Sequence, residues 1–201
     1  MSIICTDKDR LEAFMKEELT EKRYIHSLGV ETMAVHLAEI HGADVEKAGF
    51  AGRYHDIAKC FSAERMDEYI RKYNLPDEYL GNPALAHSKV AAEILANEFG
   101  VCDEDLLNAV RSHTTGRVGM SLLEEIVYVA DAIEDNRAYP SLKTLQKLAE
   151  TDLDGCCIII LDFTVDMVKA KGRDVDKTTL DAREYILNKI NEKDRRQTIN
   201  G

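Results

Sequence analysis

Residues 44–60 read D-V-E-K-A-G-F-A-G-R-Y-H-D-I-A-K-C, and the fold turns on this stretch. Asp44 has the side chain of a helix N-cap, so a helix is expected from there to near Cys60. Ala48, Gly49, Ala51, Gly52 and Ala58 are small. Neighbouring backbones can come close to such a surface, which suits an element at the centre of a helical bundle. Into it the sequence sets His55 and Asp56 side by side. An ionised carboxylate in such a place costs several kcal/mol unless it is paired.

Outward from this stretch, apolar residues recur at spacings of three and four, and no run of four to eight residues alternates as a strand would. The expected fold class is therefore all-α. Upstream, helices are expected over Asp7 to Leu19 and from Thr20 to a stop at Gly42. Downstream they are expected from Ser62 to before Pro76, over Leu85 to Phe99, and over Asp103 to about His113. Ser121 and Glu124 form a capping box that starts a helix reaching Asn136. Three more follow at about 142–150, 153–171 and 179–191, the last opened by a Thr178 and Asp181 capping box. The tail K-D-R-R-Q-T-I-N-G is expected to fray. No repeat, linker or low-complexity stretch divides the chain. Residues 1–201 thus read as a single-domain helical bundle, with a core over about 20–137 completed by helices over 142–192.

The 37 acidic residues against 26 basic give a formal charge of −11. That charge repels nucleic acid and anionic lipid, so neither is expected as a partner. It also repels a phosphorylated ligand, whose site must create its own positive field from metal ions, local Arg or Lys, or helix N-termini. Cys5, Cys60, Cys102, Cys156 and Cys157 are five in number and lack C-x-x-C spacing, as expected of reduced thiols. The start M-S-I-I-C-T-D-K-D-R lacks the apolar core of a secretory signal, and the run from Cys156 to Leu161 is too short to span a bilayer. A cytoplasmic location is expected. Ile158, Ile159, Ile160 and Leu161 make their helix apolar on more than one side, which fits either a buried core helix or a homodimer face.

His26 falls in register with Val30, Met33 and Leu37, His87 with Val90, Ala91 and Ile94, and His113 with Leu106, Ala109 and Val110. Each alone reads equally well as a core histidine with a satisfied hydrogen bond. Asp131 is harder to explain that way, because it lies between Val127 and Ile133 in an apolar helix and needs a cation. One metal ion could satisfy it together with His55 and Asp56. Imidazole and carboxylate suit iron, manganese, zinc or cobalt. His36 reads as a helix-surface residue, and His41 as a cation at a helix C-terminus beside Gly42.

His26, then His55-Asp56, then Asp131, in that order on separate helices, resembles the HD-domain metal-dependent phosphohydrolase superfamily. R-Y-I-H at 23–26, H-D-I-A-K at 55–59, A-H-S at 86–88, H-T-T-G-R at 113–117 and A-D-A-I-E-D-N-R at 130–137 resemble, more narrowly, the bacterial YqeK family. The resemblance covers nearly the whole chain. It implies an HD-type bundle that hydrolyses diadenosine tetraphosphate symmetrically to two ADP. It also implies one or two divalent ions, iron first, with manganese, cobalt or zinc as alternatives. His26, His55, Asp56 and Asp131 would hold the first ion, and His87 and His113 would hold a second or face the phosphates. Asp56 would bridge two ions holding a hydroxide for in-line attack on phosphorus, with His87, His113 and Lys59 as the other catalytic groups. Arg23, Thr114 and Arg137 would contact substrate with His87 and His113, as would Thr178 and Thr179 at the last helix start. Where the family has two apolar residues before the His-Asp pair, this chain has Arg53-Tyr54.

The same ligand set would serve a nucleotidase, a guanosine polyphosphate hydrolase or a non-catalytic nucleotide sensor, because substrate choice lies in the pocket walls. Structural histidines in an ordinary bundle are the remaining alternative.

Overall fold

The computed structural model describes residues 7–200. Cys5 and Gly201 lie outside them. The described residues form ten α-helices and one short 3-10 turn, with no strand. The helices are α1 (Lys8–Glu18), α2 (Glu21–His41), α3 (Val45–Tyr54), α4 (Ala63–Lys72), α5 (Pro83–Phe99), α6 (Glu104–Ser112), α7 (Leu122–Ile133), α8 (Leu142–Thr151), α9 (Leu153–Ala170) and α10 (Lys177–Asn200). The all-α expectation holds.

Most helix starts follow the side chains that announced them. Asp7, Thr20, Asp44, Ser62, Asp103 and Asp152 each accept a hydrogen bond from the backbone N–H three residues on. Ser121 and Glu124 close the expected capping box. Each such cap satisfies a backbone donor that the helix itself leaves open.

Five boundaries differ from expectation. α3 stops at Tyr54, six residues short of Cys60, and the chain goes on in tight turns. α5 starts at Pro83 rather than Leu85, since proline at the first helical position forfeits no needed hydrogen bond. α7 ends at Ile133, not Asn136. At the start of α10, Asp176 Oδ1 rather than Thr178 accepts the first-turn N–H, while Asp181 pairs with Lys177 at 2.5 Å. The tail expected to fray continues α10 to Asn200, for nothing between 191 and 200 is Gly or Pro, and Arg196 pairs with Glu192 one turn back.

The bundle is organised around α7, whose Ile126, Val127, Val129, Ala130 and Ile133 are wholly buried. It contacts α2, α3, α6, α8 and α9, and α10 closes over α9. α2 and α3 pack more closely than ordinary side chains would permit. A Cβ on Gly52 would come within 3.0 Å of the Glu31 Cα and the Val30 carbonyl oxygen. The small-residue face of 44–60 thus does what its composition implied. Cys156, Cys157, Ile160 and Leu161 of α9 are buried within this chain, while Ile158 and Ile159 of the same run are half-buried. Among the described residues no helix is long and apolar enough to cross a membrane, and Cys60, Cys102, Cys156 and Cys157 are free thiols.

Candidate metal centre

Beyond Tyr54 the backbone hydrogen bonds shorten their span to three residues, with Ile57 N–H on Tyr54 O at 3.3 Å and Lys59 N–H on Asp56 O at 2.8 Å. At three residues per turn, Asp56 and Lys59 stand on the same side of this segment. His55 is the C-cap of α3 and His113 the C-cap of α6, so each imidazole leaves its helix where the last carbonyls are unpaired.

All four inward histidines anchor Nδ1 on an acceptor. His26 uses Glu134 Oε1 at 3.0 Å, His55 uses Gly52 O at 2.7 Å, His87 uses Pro83 O at 3.2 Å and His113 uses Val110 O at 2.7 Å. An acceptor there requires the proton on Nδ1 and leaves the Nε2 lone pair free in a neutral ring. The four Nε2 atoms converge with two carboxylates. His26 Nε2 is 3.0 Å from Asp131 Oδ1, and His55 Nε2 is 3.4 Å from Asp56 Oδ2 and 3.7 Å from Asp131 Oδ1. His87 and His113 stand 3.3 and 3.4 Å from Asp56 Oδ1 and 3.1 Å from each other.

Burial would raise the Asp56 carboxyl, but the surrounding histidines hold it well below its usual range. Asp131 is likewise held low against burial, by the His26 contact and the nearby His55 and Arg137. Burial pushes His87 down and His113 to about 4, so both rings are neutral. His55 is raised, the charges of Asp56 and Asp131 outweighing its burial.

The donor set fits a divalent cation. His26 Nε2, His55 Nε2 and Asp56 Oδ1 are buried and make no hydrogen bond, although the Nδ1 atom of each of the two rings is anchored. His26, His55 and Asp131 form one triad of donor atoms within 4.8 Å of one another, and His55, Asp56 and His113 form a second. Two ligands at right angles about 2.1 Å from one ion lie about 3 Å apart, which is the spacing of His26 Nε2 and Asp131 Oδ1. Nitrogen and oxygen donors of this kind suit first-row divalent metals.

The centre opens on a cleft of about 900 Å³, at the upper end of the range of small-molecule sites. His87, His113 and Asp131 line one part of it, with Lys59, Thr114 and Arg137 around them. Lys59 Nζ and Thr114 Oγ1 lie 3.0 and 3.1 Å from His87 Nε2. Arg137 donates to the Asp131 carbonyl and to its Oδ1 at 2.6 Å, leaving Nη1 out of these contacts. Apolar wall comes from α9, where Phe163 and Met167 are half exposed.

Of the residues singled out in the sequence, His26, His55, Asp56, His87, His113 and Asp131 come together. Lys59, Thr114, Arg137 and Thr179 reach the cleft. Two do not. Arg23 donates Nη1 to Asp56 Oδ2 at 2.8 Å and does not line the cleft, and Thr178 is exposed outside it. His36 pairs with Glu150, and His41 bonds the Ala149 carbonyl, both away from the centre. Sequence reading missed Glu134, which is almost wholly buried behind His26. It stands three residues after Asp131, and the mid-helical Gly29, three residues after His26, is the matching gap in the sequence.

A model of the HD domain matches residues 23–136, a span that takes in all six converging residues and more than half of the chain. The chain belongs to the HD-domain family. This HD domain is 44% identical over 182 residues to the symmetrical bis(5'-nucleosyl)-tetraphosphatase of Bacillus subtilis (strain 168), covering 90% of this chain and 98% of the relative. It is 39% identical to the enzyme of the same name from Halalkalibacterium halodurans, over 86% of this chain and 93% of that one. A crystal structure from Clostridium acetobutylicum, named as a "predicted HD superfamily hydrolase involved in NAD metabolism", superposes with a TM-score of 0.86 at 39% identity. The superposition covers 91% of this chain and 98% of that one. The matched HD segment ends before Arg137, so the α9 and α10 walls of the cleft lie outside it.

Proposed function

We propose that this HD domain hydrolyses diadenosine tetraphosphate symmetrically, giving two ADP, with a divalent metal centre held by His26, His55, Asp56, Asp131, His87 and His113. The observation that carries the reading is the pair of donor triads sharing His55, opening directly on a cleft large enough for a dinucleotide. The names borne by relatives that align over nearly their whole length support the substrate.

His26, His55 and Asp131 would hold one ion, and His87 and His113 a second, with Asp56 offering one oxygen to each side. Iron is our first choice, with manganese, cobalt or zinc as alternatives of the same coordination chemistry. A divalent ion supplies Lewis acidity, neutralising phosphate charge and making water acidic enough to attack at neutral pH.

The chain's own groups do the rest. Glu134 and the carbonyls of Gly52, Pro83 and Val110 fix the ring orientations, and Arg23 fixes Asp56. Lys59 and the unused Nη1 of Arg137 face the space beside the ligands, where they offset charge on the reacting and leaving oxygens. Thr114 and Thr179 offer hydroxyls to the phosphates. For ADP to leave, attack falls on the second phosphorus from one adenosine, so the cleft must seat a nucleotide on each side of that atom. The local cations answer the repulsion that a chain of charge −11 exerts on such a substrate.

Chromatography of the products tests the reaction. Diadenosine tetraphosphate should yield ADP alone, and AMP together with ATP would reject the assignment. Elemental analysis of His55→Ala and Asp131→Asn tests the centre, since both should lose metal and activity together.

A further inference from the structure

We infer that Lys171 and Arg173, on the connection between α9 and α10, hold the phosphates of the nucleotide half that departs. The inference rests on the proposed symmetrical cleavage of a dinucleoside tetraphosphate. That reaction leaves one ADP unit at the metal centre and sends another away from it, and the second unit carries phosphates that need cations of their own.

The cations beside the centre stand at the ligands themselves, where they serve the reacting phosphorus and not the far nucleotide. Arg23 is on Asp56, Arg137 is on Asp131, and Lys59 stands 3.0 Å from His87 Nε2. Lys171 and Arg173 line the same cleft as His87, His113 and Asp131, yet both are exposed, and beyond their backbone N–H bonds to the Val168 carbonyl neither side chain makes a hydrogen bond or ion pair among the described residues. Gly172, at φ +65°, turns the backbone between them as α9 ends. Asp174 and Asp176 also line this rim. Asp176 accepts the Thr178 N–H at the start of α10, so the rim carries two carboxylates beside its two cations, and it is the cations whose side chains stand without a partner.

The neighbouring wall fits the rest of a nucleotide. Phe163 is 52% exposed within the cleft, and an exposed aromatic face takes any base by stacking. A stacking ring and free cations on the wall of one cleft are the chemistry of a nucleoside diphosphate. Guanidinium can also grip phosphate through two parallel hydrogen bonds, which a solvated surface lysine does not need.

The test reverses both charges, Lys171→Glu with Arg173→Glu, on exposed residues that carry no packing. At low salt KM for diadenosine tetraphosphate should rise about tenfold with kcat within about twofold, and the gap should close as salt screens it. Lys169→Glu, exposed on α9 outside the cleft, is the control for a charge reversal elsewhere on the same helix and should leave KM unchanged. A KM rise below about threefold, a fall in kcat without a KM rise, or an equal effect from Lys169→Glu overturns the inference. Calorimetric binding of a methylene-bridged, uncleavable analogue to the metal-loaded chains separates the two failures. Equal affinity of wild type and double variant sinks the rim, whereas absence of ADP from wild-type turnover sinks the reaction alone.

Discussion

Gly29 and Glu134 are fitted to each other across α2 and the end of α7. A methyl group at position 29 would overlap Glu134 Oε2 and come within 2.9 Å of Asn136 Nδ2. Glu134 in turn accepts from Asn136 through its backbone N–H at 2.7 Å and its side chain at 2.8 Å, and gives its other oxygen to His26 Nδ1. The absent side chain on α2 is therefore what lets a buried carboxylate stand behind a candidate metal ligand. Gly29→Ala should push Glu134 off the imidazole. Loss of such an orienting partner lowers metal affinity by about 10 to 100-fold. Metal retained after dialysis against a weak chelator reads this directly, and retention equal to wild type would remove Glu134 from the account.

Lys89 ties together the helices that carry His87 and His113. It lies two residues past His87 on α5 and donates Nζ to the Arg111 carbonyl at 2.7 Å, near the end of α6. Burial pushes its ammonium down to about 8, so the bond holds a desolvated cation against the negative end of a helix. Lys89→Met keeps the stem and removes the donor, leaving a carbonyl unsatisfied at a cost of about 1 to 3 kcal/mol. Urea unfolding should show a loss of that size, with Lys89→Arg recovering part of it. An unchanged midpoint for Lys89→Met would mean that water replaces the amine without cost.

The sequence carried the helices and the converging residues because both follow local rules. Caps such as Asp44 and Ser121 act within three residues, and Asp131 betrayed itself by being charged in an apolar helix. What it did not carry depends on contacts between distant segments. Arg53 looked like a misplaced charge before the His-Asp pair, but it reaches away from the centre to Glu12 at 3.0 Å and Glu31 at 2.5 Å. Arg23 looked like a phosphate ligand and proved to be engaged on Asp56. The end of α3 at Tyr54 was hidden for another reason, since residues 55–60 keep helix-like composition while their hydrogen bonds span one residue fewer.

Arg53 also sets an acid limit on stability. Burial opposes ionisation of Glu12, yet Arg53 and Tyr24 hold its carboxyl down to about 2, against 4.5 for the free side chain. A carboxyl depressed on folding stabilises the protein above its unfolded pKa, and that stabilisation is lost as pH falls through the folded value, here from about 4.5 towards 2. Glu12→Gln should cost on the order of 1 to 2 kcal/mol at neutral pH and almost nothing near pH 2. Unfolding curves at the two pH values check it, and a cost independent of pH would assign the effect to packing.

Where α7, α9 and α10 meet, the dependence on pH runs the other way. Glu125 and Asp154 are both nearly inaccessible and share Lys189, at 2.5 and 2.8 Å. Two carboxylates so close cannot both ionise freely around one ammonium. Burial pushes Glu125 up to about 7 despite Lys189, while Asp154, also bonded by Lys193, is held down to about 2. The folded chain thus keeps on Glu125 a proton that the unfolded chain releases above about 4.5. A carboxyl raised on folding stabilises the protein fully below its unfolded pKa, and this contribution fades as pH rises through the folded value. The slope is at most about 1.4 kcal/mol per pH unit between about 4.5 and 7. The Asp154 contribution is lost only below its unfolded pKa, so the two windows do not overlap. Glu125→Gln imitates the protonated acid and removes the ionisation. Its Tm relative to wild type should therefore climb by a few degrees between pH 5 and pH 8, at about 2 to 4 °C per kcal/mol for a chain of this size. A difference in Tm that stays constant over this range would show that Glu125 is ionised throughout and that Lys189 neutralises both carboxylates.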